Sequence, residues 1–298
     1  MALKKPIKKF QDLNLSDAYL FAATLEDAET CRITLEILLG IKVDSVTVHA
    51  EHTILFNRDY RSIRLDIYLQ DEAYNSYNVE MQVENEGNLP KRSRYHQAEM
   101  DVISMPPGSS FNDLRPNYVV FICCFDPFGD GLYRYTFTNR CAETGSELGD
   151  GTAKIFLNTR GTNAENIPTE LIHFLEYVEN STEECVAKQD DYVIRRIHQR
   201  VTSIKENRRW EQKYMRFEEL LQKEYKEGLR AGHDEGLQEG LRAGHNEGLQ
   251  EGLQTMLLLT QKLLENGEAD KIPLLSNNDF LKELCNKYGI SSEVTQHI

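Results

Sequence analysis

The segment that most constrains the fold is a nearly continuous apolar run, YVVFICCF, at residues 118–125. A strand with one face in water alternates apolar and polar residues, whereas a strand covered on both faces loses that alternation. The run therefore predicts a strand that is buried on both faces. It is too short to cross a membrane, and no run of about 18 apolar residues occurs in the chain, so we expect no membrane span.

The segments around this run alternate between helical and extended patterns. Apolar residues at helical spacing, followed by Gly40 as a stop, indicate the first helix, and β-branched residues favour the strands. The predicted elements are helices at 18–39, 90–104 and 168–178 and strands at 43–55, 63–69, 77–83, 118–125, 133–138 and 153–157. The predicted fold class is α/β, with a mixed sheet and an αβββαβ core to which further strands are added.

The last third of the chain is helical in pattern and repetitive. One long helix is predicted from about residue 184, and seven glycines recur at intervals of four residues from Gly228 to Gly252. Each interior glycine costs a helix about 1 kcal/mol relative to alanine, so the run costs about 7 kcal/mol. Two interpretations stay open: a loose segment, or a helix whose glycines let partner helices approach closely. An accompanying line of leucine and histidine favours packing, so we expect a homo-oligomer formed through this region.

The charge balance limits the class of partner. The chain has 34 basic and 48 acidic residues, for a net charge of −14. Phosphate repels such a protein at long range, which argues against indiscriminate coating of nucleic acid but permits binding by a local basic cluster. Six cysteines form no C-x-x-C pair, which is typical of buried thiols in a reducing cytoplasm, the expected location, rather than of a disulfide framework or a zinc site.

Two carboxylates lie inside otherwise apolar strands that a polar loop joins into a predicted hairpin. Glu80 and Gln82 are two residues apart and therefore project from the same face of their strand. Asp66, on the preceding strand, can lie opposite them on that face. Carboxylate and amide oxygens suit Mg²⁺, which takes one or two protein carboxylates and keeps several waters. The alternative is that both acids point into solvent from a half-exposed hairpin.

Five collinear motifs carry a resemblance to a known family. They are RSIRLDIYLQ from residue 61, YNVEMQ from 77, KRSRYH from 91, NYVVFICCFDPFGDGLYRYTF from 117 and DGTAKIFLNT from 150. In an αβββαβ core they resemble the PD-(D/E)XK nuclease superfamily, and more narrowly its Rpn-type branch of recombination-promoting nucleases and transposases. The resemblance covers about residues 13–177 and implies a restriction-endonuclease-like core.

The resemblance also implies roles for individual residues. Asp66 and Glu80 match the metal-binding acids of the second and third strands, so the implied catalytic set is Asp66, Glu80 and Gln82, with Mg²⁺ as cofactor and Mn²⁺ as a substitute. Gln82 stands where the superfamily has lysine, and the Rpn-type branch is similar to this chain in often having glutamine there. An amide can orient a water but carries no positive charge. Gln82→Lys is expected to keep or raise activity. Asp17, or less favourably Glu36, is the expected first-helix acid.

The implied function is a metal-dependent DNA endonuclease acting in recombination, mobile-element activity or defence. Lys91, Arg92 and Arg94 are the expected DNA-binding residues, although a solvated helix end gives the same pattern. Tyr95 is expected in the core. The alternative function is a nuclease-fold binding module that no longer cleaves. The predicted organisation is a nuclease-like domain at 1–182, a helical connector at 183–226, the glycine repeats at 227–254 and a helical piece at 255–298.

Overall fold

The computed structural model describes residues 8–48 and 67–290, and its centre is a six-stranded mixed sheet. The strand order is β1-β2-β3-β4-β6-β5. The strands are β1 (Val46–Val48), β2 (Ile67–Asp71), β3 (Ser76–Gln82), β4 (Asn117–Cys123), β5 (Arg134–Phe137) and β6 (Thr152–Asn158). The helices are α1 (Ala18–Leu25), α2 (Ala28–Leu39), α3 (Leu89–Ser104), α4 (Thr169–Glu179), α5 (Glu183–Gln189), α6 (Tyr192–Lys205), α7 (Arg208–Glu265) and α8 (Asn278–Tyr288).

The apolar run forms β4, in the middle of the sheet. It pairs in parallel with β3 on one side and with β6 on the other, and its residues from Val119 to Cys123 are fully buried. The prediction of a strand covered on both faces is confirmed. The predicted αβββαβ order of elements along the chain is confirmed as well, and α3 is the crossover between the parallel strands β3 and β4.

The two faces of the sheet carry different layers. One face presents Val79, Ile122 and Leu157 to a large apolar core that α1, α2, α4 and α6 complete. The other face presents Phe121 and Phe156 to a smaller core, to which α3 contributes Leu89 and Met100. Glu80 pairs in register with Phe121, so it lies on the second face, beneath α3.

The helix expected over residues 18–39 is two helices, which corrects the prediction. Asp27 has extended backbone and begins α2, since its carboxylate accepts hydrogen bonds from the Thr30 N–H at 2.9 Å and the Thr30 hydroxyl at 2.7 Å. Such a cap satisfies a helix-terminal donor that a continuous helix would not expose. The predicted stop is confirmed, because Gly40 ends α2 in a left-handed conformation with φ of 71°.

Replacing this cap tests its contribution to stability. Asp27→Ala should lower the free energy of unfolding by about 1 kcal/mol at pH 7. The Thr30 hydroxyl and N–H hold the pKa of Asp27 below its ordinary value of 3.8. The contribution is therefore present above pH 3.8 and is lost as the pH falls through the folded-state pKa.

The measurement is urea unfolding followed by the fluorescence of the sole tryptophan, Trp210, whose ring lies 6.4 Å from that of Tyr19 in α1. The difference between wild type and Asp27→Ala should shrink in acid. Asp27→Asn is the control, because asparagine also caps helices and does not titrate. Equal stability of the wild type and Asp27→Ala at pH 7 would contradict the prediction.

The long helix expected from residue 184 is also interrupted, at two points. Asp190 has a left-handed backbone with φ of 48°, and Asp191 caps α6 by accepting from the N–H groups of Val193 and Ile194. Asn207 then accepts from the N–H of Arg209 at the start of α7. Helical periodicity alone does not reveal these breaks, because they depend on side chains that bond to the backbone.

The chain divides into two compact units, residues 1–219 and 220–298. Within the first unit, α5 and α6 bury Val186, Ile194 and Ile197 in the main core. Much of the predicted connector therefore belongs to the first unit. The second unit has a small core of its own, formed by Leu259, Leu263, Leu275, Leu281, Leu284 and Cys285.

The glycine repeats are helical and lie within α7. Apart from the adjacent residues and the nearby backbone of the helix itself, no heavy atom of the described part of the chain lies within 4 Å of a Cβ placed on any glycine from Gly228 to Gly252. The accompanying leucines are more than half exposed: Leu229, Leu237, Leu241, Leu249 and Leu253. The structure agrees with the interpretation of the repeats as a helix rather than as a loose segment.

None of the helices in the described part of the chain combines the length and the apolar character that a membrane span requires.

Candidate active site

The candidate site lies where β3 passes beneath α3. Asn78, Glu80 and Gln82 alternate along β3, so all three face the same helix, and all three are buried. From α3, Arg92 and His96 reach this row of polar side chains. They are four residues apart and therefore lie on one face of the helix. A strand and the crossover helix that follows it thus bring acidic, amide and basic groups together.

Glu80 is the centre of these contacts. Its side chain is 9% exposed, and its Oε1 forms an ion pair with Nη2 of Arg92. His96 Nε2 lies 3.3 Å from Oε2, and His96 Nδ1 lies 3.5 Å from Oε2 of Glu99. The distance between His96 Nε2 and Glu80 Oε2 is short enough for an ion pair, but the geometry is not that of a hydrogen bond. Glu80 Oε2 therefore accepts no hydrogen bond from the residues described. A buried carboxylate is costly unless paired, and Arg92 is the described partner that offsets this cost most directly.

Gln82 extends the same network. Its Oε1 accepts a hydrogen bond of 3.0 Å from Nη1 of Arg92, and its Nε2 donates one of 2.9 Å to the carbonyl oxygen of Glu84. One guanidinium therefore joins Glu80 to Gln82. The same guanidinium lies over the ring of Phe121, 5.7 Å from its centroid. Glu86 Oε2 also lies 3.8 Å from Nη1 of Arg92. These contacts orient Arg92, since its planar fork has directed partners on β3 and lies on an aromatic surface.

Apolar residues surround the polar row. The rings of Phe121 and Phe156 are stacked with centroids 5.4 Å apart, and the ring of His96 lies 6.1 Å from that of Phe121. Burial raises the pKa of the Cys123 thiol to about 12, so this thiol is neutral at pH 7 and not a nucleophile. Cys123 belongs to the apolar run at 118–125 and lies in the smaller core. An apolar surround strengthens the electrostatic interactions of Glu80 and Arg92.

A second polar atom of the row is unpaired. Asn78 Oδ1 is buried and, among the residues described, receives no hydrogen bond. Further along the same interface, Asn117 accepts from Gln97 at 2.9 Å and donates to Asp101 at 2.5 Å. Buried polar atoms without partners are uncommon in folded proteins. Two of them, on Asn78 and Glu80, therefore leave acceptor capacity on one face of β3.

The predicted basic cluster is divided between two roles. Lys91 and Arg94 are exposed on α3, while Arg92 turns inward and its side chain is 29% exposed. Tyr95 is 47% exposed, so the prediction that it belongs to the core is wrong. Successive residues of an α-helix are rotated by about 100° around its axis, which explains why neighbours in the sequence face different directions.

The predicted first-helix acids have other partners. Asp17 caps α1 by accepting from the N–H groups of Tyr19 and Leu20, and burial raises its pKa. Glu36 pairs with Arg32 at 3.0 Å and accepts from the N–H of Val43. Both belong to helices that pack on the opposite face of the sheet, so the structure does not bring them to Glu80. Asp66 lies outside the described residues.

Two features of this site are not among the sequence predictions: the ion pair of Arg92 with Glu80, and the position of His96 beside Glu80. The available signal was the spacing: Arg92 and His96 are one helical turn apart in the helix that follows the strand of Glu80. A buried carboxylate requires a partner, and α3 carries the first basic residues that follow Glu80 in the sequence.

The donor set suits a hard divalent cation. The described residues contain no group of three or more His, Cys, Asp or Glu side chains arranged to hold a metal. They do offer Glu80 Oε2 and the amide oxygen of Asn78, both without hydrogen-bond donors. Mg²⁺ prefers oxygen ligands and needs only one or two carboxylates, so these atoms fit part of a magnesium site.

Comparison with known proteins agrees with this geometry. A family model described as PD-(D/E)XK nuclease family transposase matches residues 35–228, more than half of the chain. The match includes all six strands, the crossover helix α3 and the residues around Glu80. Comparisons with curated proteins and with solved structures gave no match. The family model, together with a mixed sheet in the αβββαβ order of elements, shows that the chain belongs to the PD-(D/E)XK nuclease family transposases.

Proposed function

We propose that this protein is a metal-dependent DNA endonuclease that hydrolyses phosphodiester bonds, with Glu80 at its centre. The observation that carries the proposal is the buried carboxylate of Glu80, held beside Gln82 and Arg92 in a chain of the nuclease family. Recombination, mobile-element activity and defence against foreign DNA are the roles that such an activity would serve.

Asp66 is proposed as the second carboxylate. In the described hairpin, β2 and β3 are antiparallel, and Ile67 is paired with Val79. Tyr68 is paired with Asn78, and directly opposed residues of an antiparallel pair project from the same face, which is also the face of Glu80. Asp66 is two residues before Tyr68 in the sequence, so the alternation of side chains along a strand supports a site built from Asp66 and Glu80, with Gln82 beside them.

Mg²⁺, or Mn²⁺ in its place, is the proposed cofactor, with Asp66 and Glu80 as its protein ligands. Asp66 and Glu80 would hold such an ion, which when bound would lower the pKa of a bound water and neutralise charge on the scissile phosphate. Gln82 orients the attacking water through its amide, since an amide group both donates and accepts hydrogen bonds. Lys91 and Arg94, exposed on the helix above the site, hold the DNA phosphates. Local positive charge of this kind offsets the negative charge of the whole chain.

Incubation of supercoiled plasmid with the purified protein tests the proposal. We expect nicked or linear product with Mg²⁺ or Mn²⁺, no product with EDTA, and recovery when Mg²⁺ is added in excess of EDTA. A Glu80→Gln protein purified in parallel controls for contaminating nucleases. Absence of cleavage of plasmid and of single-stranded DNA by the wild-type protein, at any concentration of either metal, would overturn the proposal.

A nuclease-fold binding module is the second candidate. The observation that favours it is the ion pair of Arg92 with Glu80, which neutralises the carboxylate that a metal would need. This candidate predicts that DNA binding does not depend on divalent cations and that no cleavage occurs. The plasmid assay, combined with a gel-shift measurement in EDTA, distinguishes the two candidates.

We further propose that the protein self-associates through the glycine repeats of α7 and works in the cytoplasm. The exposed leucines of α7 supply apolar area for a partner helix, and close packing would offset the cost of the interior glycines. All six cysteines are free, in keeping with a reducing compartment; five are buried as expected, whereas Cys141 is exposed, contrary to the expectation.

A further inference from the structure

We propose that Arg92 supplies the positive charge that Gln82 lacks, so that the functional cation of the site lies on α3 rather than on β3. This inference rests on the proposed function and assigns a positioning and charge-supplying role within that site. Gln82 is uncharged, and β3 contains no basic residue, so the strand itself supplies no positive charge to the site. Arg92 reaches the same place from the helix, with Nη1 3.0 Å from Gln82 Oε1 and Nη2 paired with Glu80.

The chemistry of Gln82 matches that of Arg92. A guanidinium can only donate hydrogen bonds, so its neighbour on the strand must present an acceptor. The Gln82 amide presents Oε1 to Arg92 and turns its NH₂ group to the carbonyl oxygen of Glu84. A lysine at position 82 would offer no acceptor and would place a second positive charge beside Arg92. Glutamine on the strand and arginine on the helix therefore form a compatible pair.

The surroundings of Arg92 differ from those of its basic neighbours. Its side chain is partly buried against Phe121, whereas Lys91 and Arg94 are exposed. Arginine remains charged at every pH at which proteins fold, and its fork holds two oxygen partners at once. A charge held beside an acidic site in apolar surroundings acts on developing negative charge more strongly than one in water. This is the environment that a charge-supplying residue requires.

A purely structural role makes a different prediction. If Arg92 only neutralised Glu80 in the folded protein, its loss would lower stability, and a cation placed on β3 at position 82 would not restore cleavage. If Arg92 supplies the charge for the reaction, moving that charge to position 82 restores cleavage. A cycle of single and double variants therefore distinguishes the structural role from the charge-supplying role.

The cycle compares wild type, Arg92→Gln, Gln82→Lys and the double variant Gln82→Lys/Arg92→Gln in single-turnover plasmid cleavage with Mg²⁺. Arg92→Gln should lower the rate about 100-fold, the size expected for one lost electrostatic group. DNA affinity, measured in EDTA, should change less than about threefold, since Lys91 and Arg94 remain. Gln82→Lys alone should also lower the rate, because the two cations repel; this reverses the expectation from the sequence. The double variant should recover most of the rate.

Binding of Mn²⁺ without DNA supplies a readout that does not depend on cleavage. The guanidinium on Glu80 disfavours a second cation there, so Arg92→Gln should tighten Mn²⁺ binding measured by calorimetry, and the double variant should weaken it again. Arg140→Gln is the matched control, because Arg140 is an exposed arginine paired with Glu147 in the loop between β5 and β6. Its cleavage and Mn²⁺ affinity should equal those of the wild type.

The outcomes separate this inference from the proposed function. A wild-type protein that does not cleave refutes the proposed function and the role of Arg92 together. If the wild type cleaves, two results overturn the role of Arg92 alone: a folded Arg92→Gln protein with the wild-type rate, or a double variant no faster than Arg92→Gln. Recovery in the double variant, with tighter Mn²⁺ binding by Arg92→Gln, supports it.

Discussion

Glu80→Gln should reduce divalent-dependent cleavage by on the order of 10³-fold while the protein stays folded. Glutamine keeps the size of the side chain and can still accept a hydrogen bond from Arg92, but it removes the negative charge that a metal needs. Arg92 is 29% exposed, so solvent compensates part of the lost ion pair. The rate is measured with saturating Mg²⁺, and thermal unfolding of each variant shows that the fold persists.

Two further variants make the result specific. Asp66→Asn should cause a loss of similar size, since the proposed site needs both carboxylates. Glu147→Gln is the control, because Glu147 is exposed and pairs with Arg140. Wild-type cleavage by a folded Glu80→Gln protein would remove Glu80 from the site. Full activity of Asp66→Asn, with loss in Glu80→Gln, would leave Glu80 in place but refute its pairing with Asp66.

Removal of residues 227–298 should abolish self-association and leave the sheet domain folded. The first compact unit ends at residue 219 and holds the main core, so the truncation removes none of its buried residues. The removed part carries the exposed leucines and the seven glycines, which destabilise an isolated helix by about 7 kcal/mol. A helix of this composition gains most from a partner, so we expect the oligomer to depend on it.

Light scattering of the full-length and truncated proteins gives the two molar masses. Full-length protein with Leu237→Glu and Leu241→Glu should behave like the truncated protein, because both side chains are more than half exposed on α7. Gln238→Glu is the control, since it adds a charge to the same turn without removing apolar area. A monomeric full-length protein, or an unchanged stoichiometry after truncation, would contradict self-association through the repeats.

The order of helices and strands along the chain could be predicted because the signals for each element are local. The apolar run at 118–125 has no polar face, and Gly40 can adopt a backbone conformation that ends a helix. The interruptions at Asp27 and Asp191 were missed, although both residue types are good helix caps. Whether an aspartate caps a helix or lies within one depends on the packing of the helices on either side. Periodicity carries no information about that packing.

The sequence by itself determined which side chains share a face of β3. Successive strand residues point to opposite sides, so Glu80 and Gln82 had to lie together, whatever the rest of the fold. Only the tertiary structure decided what covers that face. The crossover helix sets Arg92 against both residues, and it places His96 beside Glu80, because the packing of α3 on the sheet, and not spacing along the chain, fixes these distances. The same packing separates Arg92 from Lys91 and Arg94, which the sequence presents as one cluster.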